Sequence, residues 1–137
     1  MNMALVPQEY HDLLEDSSRS IMILTTLLSD GSPVVTPIWF VAEGESCFIT
    51  TAPDATKAKN LRAQPKVAFV LMAQNNHARY IHMRVMAEEL PTADLTSLYN
   101  QIVQKYEGRL PTSYPAQTVF RFTPFKVSVF DYSDYQP

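Results

Sequence analysis

The sequence predicts a mainly β fold, a closed or partly closed antiparallel barrel of six or seven strands with a few helices at its ends. Three observations carry this expectation. Much of the 137-residue chain falls into short runs of β-branched, aliphatic and aromatic residues, the side chains that fit a pleated, half-buried surface. Tight turns such as SDGSP and AEGES separate successive runs, and gaps that short force antiparallel pairing, because a parallel crossover needs roughly a dozen residues. Few segments carry a helical period, and barrel closure is the usual way to remove exposed strand edges at this size.

In chain order, residues 7–15 (PQEYHDLLE) place Tyr10, Leu13 and Leu14 at helical spacing with proline in the first turn, which predicts a short amphipathic helix over one end of the core. Three strands follow in SIMILTTLL, VVTPIWFV and SCFITT. APDATKAKNLRAQP then predicts a loop and a helix of about two turns, with Asp54 or Thr56 as N-cap and Pro65 beyond its end. KVAFVLMA and ARYIHMRVMAEEL form a hairpin about the polar turn QNNH. Leu95, Leu98, Tyr99, Ile102 and Tyr106 share one helical stripe, with Pro91 and Thr92 ahead of it. Residues 117–131 supply a last strand, or a bent strand pair interrupted around Pro124.

A composition of 46% hydrophobic and 18% charged residues, with ten prolines and three glycines, excludes a disordered chain, a collagen repeat and a long coiled coil. One domain over residues 1–137 is expected. The lone Cys47 has no disulfide partner, and no cysteine pair or cysteine–histidine cluster is spaced for zinc, so a reducing, cytoplasmic setting and no metal are expected. No apolar run approaches the roughly 18 residues of a membrane span, and the N-terminus lacks a signal-peptide pattern, so no membrane partner is expected. Lys57, Lys59, Arg62, Lys66, Arg79 and Arg84 put +6 into residues 55–87, which hold no acid, inside a chain of net charge −3. One local basic segment in an acidic chain suits a small polyanion better than nucleic acid.

The histidines at 11, 77 and 82 fall in different elements, and no GxSxG, HExxH or Walker loop is present. His82 and Cys47 sit within strand patterns as packed residues. A protein-borne nucleophile is therefore absent from the expectation, and a cofactor must supply any chemistry. The strongest chemical signal is FITTAPDATKAKNL, residues 48–61, where a strand ending in threonines feeds a helix start. Outward-pointing N–H groups, the hydroxyls of Thr50, Thr51 and Thr56, and the charge of Lys57 together suit a phosphate.

The succession LTTLLSDGSPVVTPIWFV, CFITTAPDATKAKNL, QPKVAFVL, RYIHMRVMAEEL and TPFKVSVFD, over about residues 17–131, resembles the pyridoxamine 5'-phosphate oxidase-like flavin and deazaflavin oxidoreductases. The resemblance implies an FMN-binding type of split β-barrel of six to seven strands, a homodimer, and a cofactor site at each end of the subunit interface. Thr56, Lys57, Asn60 and Leu61 match the family's phosphate-binding pattern, with Lys57 as the phosphate ligand. Thr50 and Thr51 match the strand end that meets the phosphate and ribityl chain. Thr36, Pro37, Ile38 and Trp39 match the strand whose backbone lines the isoalloxazine, and Tyr80 matches a position that reaches the cofactor from the partner subunit. Lys57, Lys59 and Arg62 together would serve a longer polyanion.

Departures from the vitamin oxidases are specific. Thr36 and Val41 stand where those enzymes carry an arginine and a substrate-binding lysine, the C-terminal Arg-x-His signature is absent, and Val85 replaces a glycine of the family's fifth strand. The resemblance thus implies an oxidoreductase that handles a small organic molecule other than the vitamin. Its cofactor is FMN or the deazaflavin coenzyme F-420, whose anionic tail would use more of the basic segment. A non-catalytic flavin carrier or sensor is the alternative; haem storage is disfavoured because no histidine is placed as an axial ligand.

Overall fold

A computed structural model describes residues 4–91 and 93–134. Seven strands, β1 (Ile21–Leu27), β2 (Pro33–Ile38), β3 (Val41–Glu43), β4 (Ser46–Thr51), β5 (Lys66–Ala73), β6 (Asn76–Glu89) and β7 (Thr118–Asp131), form one sheet in the order β2-β1-β5-β6-β7-β4-β3. Every pairing is antiparallel. Two α-helices, α1 (Thr56–Ala63) and α2 (Leu95–Glu107), interrupt the strand succession.

The order of strands dictates the shape. β2 and β3 lie at opposite edges of the sheet, yet only Trp39 and Phe40 separate them in sequence. Six inter-strand steps of about 4.8 Å would hold the edges of a flat sheet roughly 29 Å apart. Three Cα–Cα steps from Ile38 to Val41 reach at most about 11 Å. The sheet must therefore curl until its edges meet at this link, giving a split barrel. β3 pairs only with Ser46–Phe48 of β4, so past this junction β2 and the Ile49–Thr51 end of β4 have no strand between them.

Alternation fills the interior. Met22 and Leu24 of β1, Cys47 and Ile49 of β4, Phe69 and Leu71 of β5, Ile81, Met83 and Val85 of β6, and Phe120 and Phe122 of β7 are all buried in one cluster. Leu13 and Leu14 join that cluster from the N-terminal segment, and Ala58 and Leu61 join it from α1. The buried Val41, Ile102, Val103 and Val119 lie outside it, where α2 packs on β3 and β4. Asp94 caps α2 by accepting from the Ser97 N–H, and Gly108 ends it at φ 70°, a conformation that favours glycine.

The structure refines several expectations. Residues Gln8–Leu14 form a 3-10 helix instead of an α-helix, with Tyr10 N–H bonding to the Pro7 carbonyl at 2.9 Å. Its three-residue repeat aligns Tyr10 with Leu13, the pair that packs on the core. VVTPIWFV is two strands, broken at Trp39–Phe40 because its halves pair with different neighbours. Neither Asp54 nor Thr56 caps α1; Ala55 occupies that position and brings no side-chain cap. Asn76 and His77 belong to β6. β7 is continuous through Pro124, and the interruption is a bulge: Arg84 pairs with Lys126 and Val85 with Pro124, leaving Phe125 as the extra residue. Thr92 lies outside the described residues.

Asn60 fastens α1 to the barrel through a buried hydrogen bond, its Nδ2 donating to Thr26 Oγ1 at 3.1 Å. Asn60→Ala is expected to destabilise the fold by about 1–3 kcal/mol, because the Thr26 hydroxyl is left buried without its partner. Pairing Asn60→Leu with Thr26→Val should restore much of that loss. Urea midpoints of the variants check it, and equal destabilisation by the single and double changes would refute the assignment.

Candidate functional site

Where β2 and β4 diverge, a cleft of about 310 Å³ opens, lined by Pro37, Ile38, Trp39, Thr50, Tyr99, Ile102, Val103 and Gln117. The shortness of β3 is what creates it: a longer third strand would cover the outer half of β4. Thr50 faces out because its neighbours Ile49 and Thr51 are buried on the inner side. Pro37 and Trp39 are exposed at the end of β2, and α2 supplies the far wall. The Trp39 ring stacks on Tyr106 with centroids 4.8 Å apart and planes 6° from parallel.

Behind the cleft lies a buried polar cluster. Lys105, 5% exposed, donates from Nζ to the Phe40 carbonyl at 2.9 Å and lies 3.7 Å from the centre of the Phe40 ring. Tyr106 donates its hydroxyl to the Ser20 carbonyl at 2.5 Å and accepts from the Phe40 N–H at 3.3 Å. Burial draws the Lys105 ammonium down to about 8 and raises the Tyr106 phenol. Burial also pushes the Cys47 thiol up to about 12, so this cysteine is protonated and unreactive at neutral pH. The sequence offered one signal for this cluster: Lys105 stands three residues after Ile102, on the edge of the apolar stripe itself.

β4 links the cleft to a second feature. Thr50 opens onto the cleft, Thr51 is buried at the strand's end, and residues 52–55 lead into α1. Without a side-chain cap, the first-turn N–H groups of α1 remain available to an external acceptor. Lys57 is half-buried beside them, and no carboxylate pairs with it among the described residues. This arrangement fits an anion such as phosphate. Lys59 is exposed and, two residues along the helix, does not share a face with Lys57.

The local basic surplus is smaller than the sequence count. Arg62 holds Glu89 through two bonds of 2.9 and 2.8 Å and also donates to the Pro53 carbonyl at 2.8 Å. Glu89 accepts in addition from Thr118 Oγ1 at 2.6 Å, and these donors, Arg62 foremost, hold its carboxyl down to about 2. Arg79 is likewise engaged by Asp12 at 2.9 and 3.0 Å. Arg62 is thus engaged by Glu89 and the Pro53 carbonyl, which leaves less of its charge for the longer polyanion expected from the sequence.

Of the sequence-selected residues, Pro37, Ile38, Trp39 and Thr50 come together in the cleft. Thr36 adjoins them on β2, opposite Leu24 of β1. Thr51 and Lys57 lie along the strand-to-helix connection, while Asn60 turns inward to Thr26. Tyr80 stands apart on β6, paired with Met72 and stacked on Phe130 at 5.1 Å. Tyr99, Ile102 and Val103 escaped sequence selection because an apolar stripe on α2 reads as core, although of that stripe only Ile102 is buried; Gln117 lies just ahead of β7, outside any pattern.

Comparison with known proteins agrees with this architecture. The family model of pyridoxamine 5'-phosphate oxidase matches residues 6–131. Among solved structures, an F420 reductase is 27% identical with a TM-score of 0.76, the match covering 90% of this chain and 98% of that one. A conserved hypothetical protein of Mycobacterium tuberculosis, 21% identical, has a TM-score of 0.77 over 100% of this chain and 93% of its own. HutZ, a haem-storage protein of Vibrio cholerae, is 20% identical with a TM-score of 0.67 over 94% and 98%. The latter two likenesses concern the fold alone. No curated protein matches the chain in sequence.

Lys105 sets a pH dependence with a definite sign. Its proton is held less tightly in the fold, near 8, than at the ordinary 10.5, so the unfolded chain binds the proton better between those values and stability from this group rises with pH across that window. The stability of the native chain relative to Lys105→Met should therefore increase from pH 7.5 to 9.5. Cys47 and Tyr106 titrate in both proteins and largely cancel in the difference. Parallel stability–pH curves would contradict the assignment.

Proposed function

This chain belongs to the pyridoxamine 5'-phosphate oxidase family, and from that premise we propose that it is an oxidoreductase using FMN, or alternatively the deazaflavin coenzyme F-420, to transfer a hydride to or from a small organic substrate. The supporting observation is the continuity of two unlike features along β4: an uncharged, aromatic-walled cleft at Thr50 and an uncapped helix start beside Lys57. Lys57 and the first N–H groups of α1 would hold the cofactor's phosphate, and the Thr50 hydroxyl would meet its ribityl chain. The edge of β2 at Thr36–Ile38, continued by Trp39, would offer peptide carbonyls, and N–H groups except at Pro37, to the ring. When bound, the isoalloxazine or deazaflavin supplies the hydride chemistry. The barrel's part is to orient the ring and keep water from one side of it.

The likeness to an F420 reductase supports the deazaflavin alternative, while engagement of Arg62 by Glu89 removes one of the cations a long anionic tail would use. A non-catalytic carrier or sensor is the second reading. It is favoured by the lining of the cleft, where among the described residues only Tyr99 bears a titratable group and that group is a phenol.

The functional unit in this proposal is a homodimer in a reducing, cytoplasmic setting. Val35, Met86 and Phe125 are 61%, 39% and 45% exposed on the outer strand surfaces, and Tyr80, Phe130 and Tyr132 form an outward stack. A second copy would cover these groups and bring Tyr80 to its partner's cofactor. An interface of this kind buries about 2,000 Å² or more. Light scattering at micromolar concentration should give twice the chain mass; a strictly monomeric mass would contradict this.

Lys57→Ala is expected to weaken both FMN and F-420 roughly tenfold or more, the cost of losing a charge-assisted contact, with the urea midpoint nearly unchanged. Fluorescence titration checks it. Unaltered affinity in a folded variant would remove Lys57 from the phosphate site.

A further inference from the structure

The outer face of the barrel carries a second depression, built by β1, β5, β6 and the bulge of β7, apart from the cleft at β2, β4 and α2. We propose that it binds a free amphipathic organic anion, with a carboxylate head held between Arg84 and Lys66 and an apolar body lying over Ala68 against Leu27 and Phe125.

The depression follows from strand register. Alternate residues of a strand share a face, and because Val67, Phe69, Met83 and Val85 are buried in the core, Lys66, Ala68 and Arg84 point outward. Thr25, Ala68, Arg84 and Lys126 stand side by side across β1, β5, β6 and β7. The short Ala68 leaves the middle of this row low, between the long side chains of Lys66 and Arg84. Phe125, the extra residue of the bulge, adds a wall, and the Arg84 guanidinium carbon lies 5.3 Å from the centre of its ring. With Leu27 and Thr25 on the far side, these groups enclose about 280 Å³, a volume near the lower end for small-molecule sites.

Charge decides what such a pit would hold. Arg84 and Lys126 are direct cross-strand partners, and like charges so placed destabilise a sheet. Lys66 adds a third cation on the diagonal from Arg84. No carboxylate pairs with any of the three among the described residues. Glu88, outward on the same strand as Arg84, is held by Arg121. An external anion would offset the repulsion, and with one flat face of its guanidinium on Phe125, Arg84 keeps its N–H edge for a carboxylate. A small bare anion would leave the apolar floor wet, and a neutral chain would leave the cations unpaired. One molecule carrying both parts meets both needs. An enclosed pit suits a single free molecule better than a lipid surface.

This inference does not depend on the cofactor or on the dimer. A second copy seated on Met86 and Phe125 would roof the pit, since its floor at Ala68 lies below the flanking side chains. Isothermal calorimetry of the full-length protein compares octanoate with acetate, which has the charge alone, and with 1-octanol, which has the chain alone. Octanoate is expected to bind at least tenfold tighter than either. Arg84→Gln should weaken octanoate at least tenfold, and Ala68→Leu, which fills the floor from outside the core, should do the same; Lys66→Gln, an independent change on β5, should act in the same direction. Equal binding of octanoate and either control, or unchanged octanoate affinity in folded variants, would overturn the proposal. So would displacement of octanoate by FMN, which would put it in the cofactor site, or retention of the protein by phosphatidylglycerol vesicles without saturable octanoate binding, which would indicate a lipid surface. Light scattering on the same samples separates the readings: a monomeric mass with octanoate selectivity intact rejects only the dimer, and a dimer without that selectivity rejects only this site.

Discussion

The link from Ile38 to Val41 governs this fold. Two residues join opposite edges of a seven-stranded sheet, a connection that only a curled sheet permits. Holding the link in place falls to α2, which comes later in the chain. The Phe40 side chain is fully buried, its carbonyl accepts from Lys105, and its N–H donates to Tyr106. The same Tyr106 ring carries Trp39. Closure of the barrel and formation of the cleft wall are thus one structural event. A buried lysine is an expensive way to make such a clamp, since desolvation opposes its charge, and its location at the corner shows how much depends on satisfying that carbonyl.

Local pattern made the strands legible, because one buried face imposes a period of two. It made the corner illegible for the same reason. VVTPIWFV is an unbroken apolar run, and nothing in it records that Val35 pairs with Thr25 whereas Val41 pairs with Phe48. Pro124 was visible as a disturbance in β7, but whether a strand breaks there or bulges depends on its partner; β6 continues beside it, so the chain bulges. The 3-10 segment Gln8–Leu14 packs against β5 and β6, a contact that spacing alone cannot state.

The candidate site divides along the same line. Thr50 and Pro37–Trp39 were legible through strand ends and through the family pattern, and they do meet in one cleft. The charge count could not record that Arg62 is paired, because Arg62 and Glu89 are 27 residues apart and meet only through the fold. Their pairing, with Thr118 as a further donor to Glu89, ties α1 to β6 and β7. Being largely exposed, such a pair contributes little stability, but its bidentate geometry fixes where the helix lies. Asn60 fixes the opposite face of α1 through Thr26. Both anchors lie in the second half of α1, and together they set where the helix sits on the barrel after β4.

That placement bears on how one small barrel can serve two demands that conflict physically. Phosphate binding needs exposed donors and positive charge, and a flat apolar ligand needs their absence. Placing both at one point would leave either a desolvated cation or an apolar group in a hydrated pocket. Here β4 keeps them apart. Thr50 faces the uncharged cleft, while Lys57 stands beyond the connection at residues 52–55, at the end where helix N–H groups already favour an anion. An elongated cofactor is the kind of ligand that spans such a division, charged at one end and planar at the other. Its position on the barrel would then follow from the strand that joins the two features, without any titratable side chain having to orient the ring.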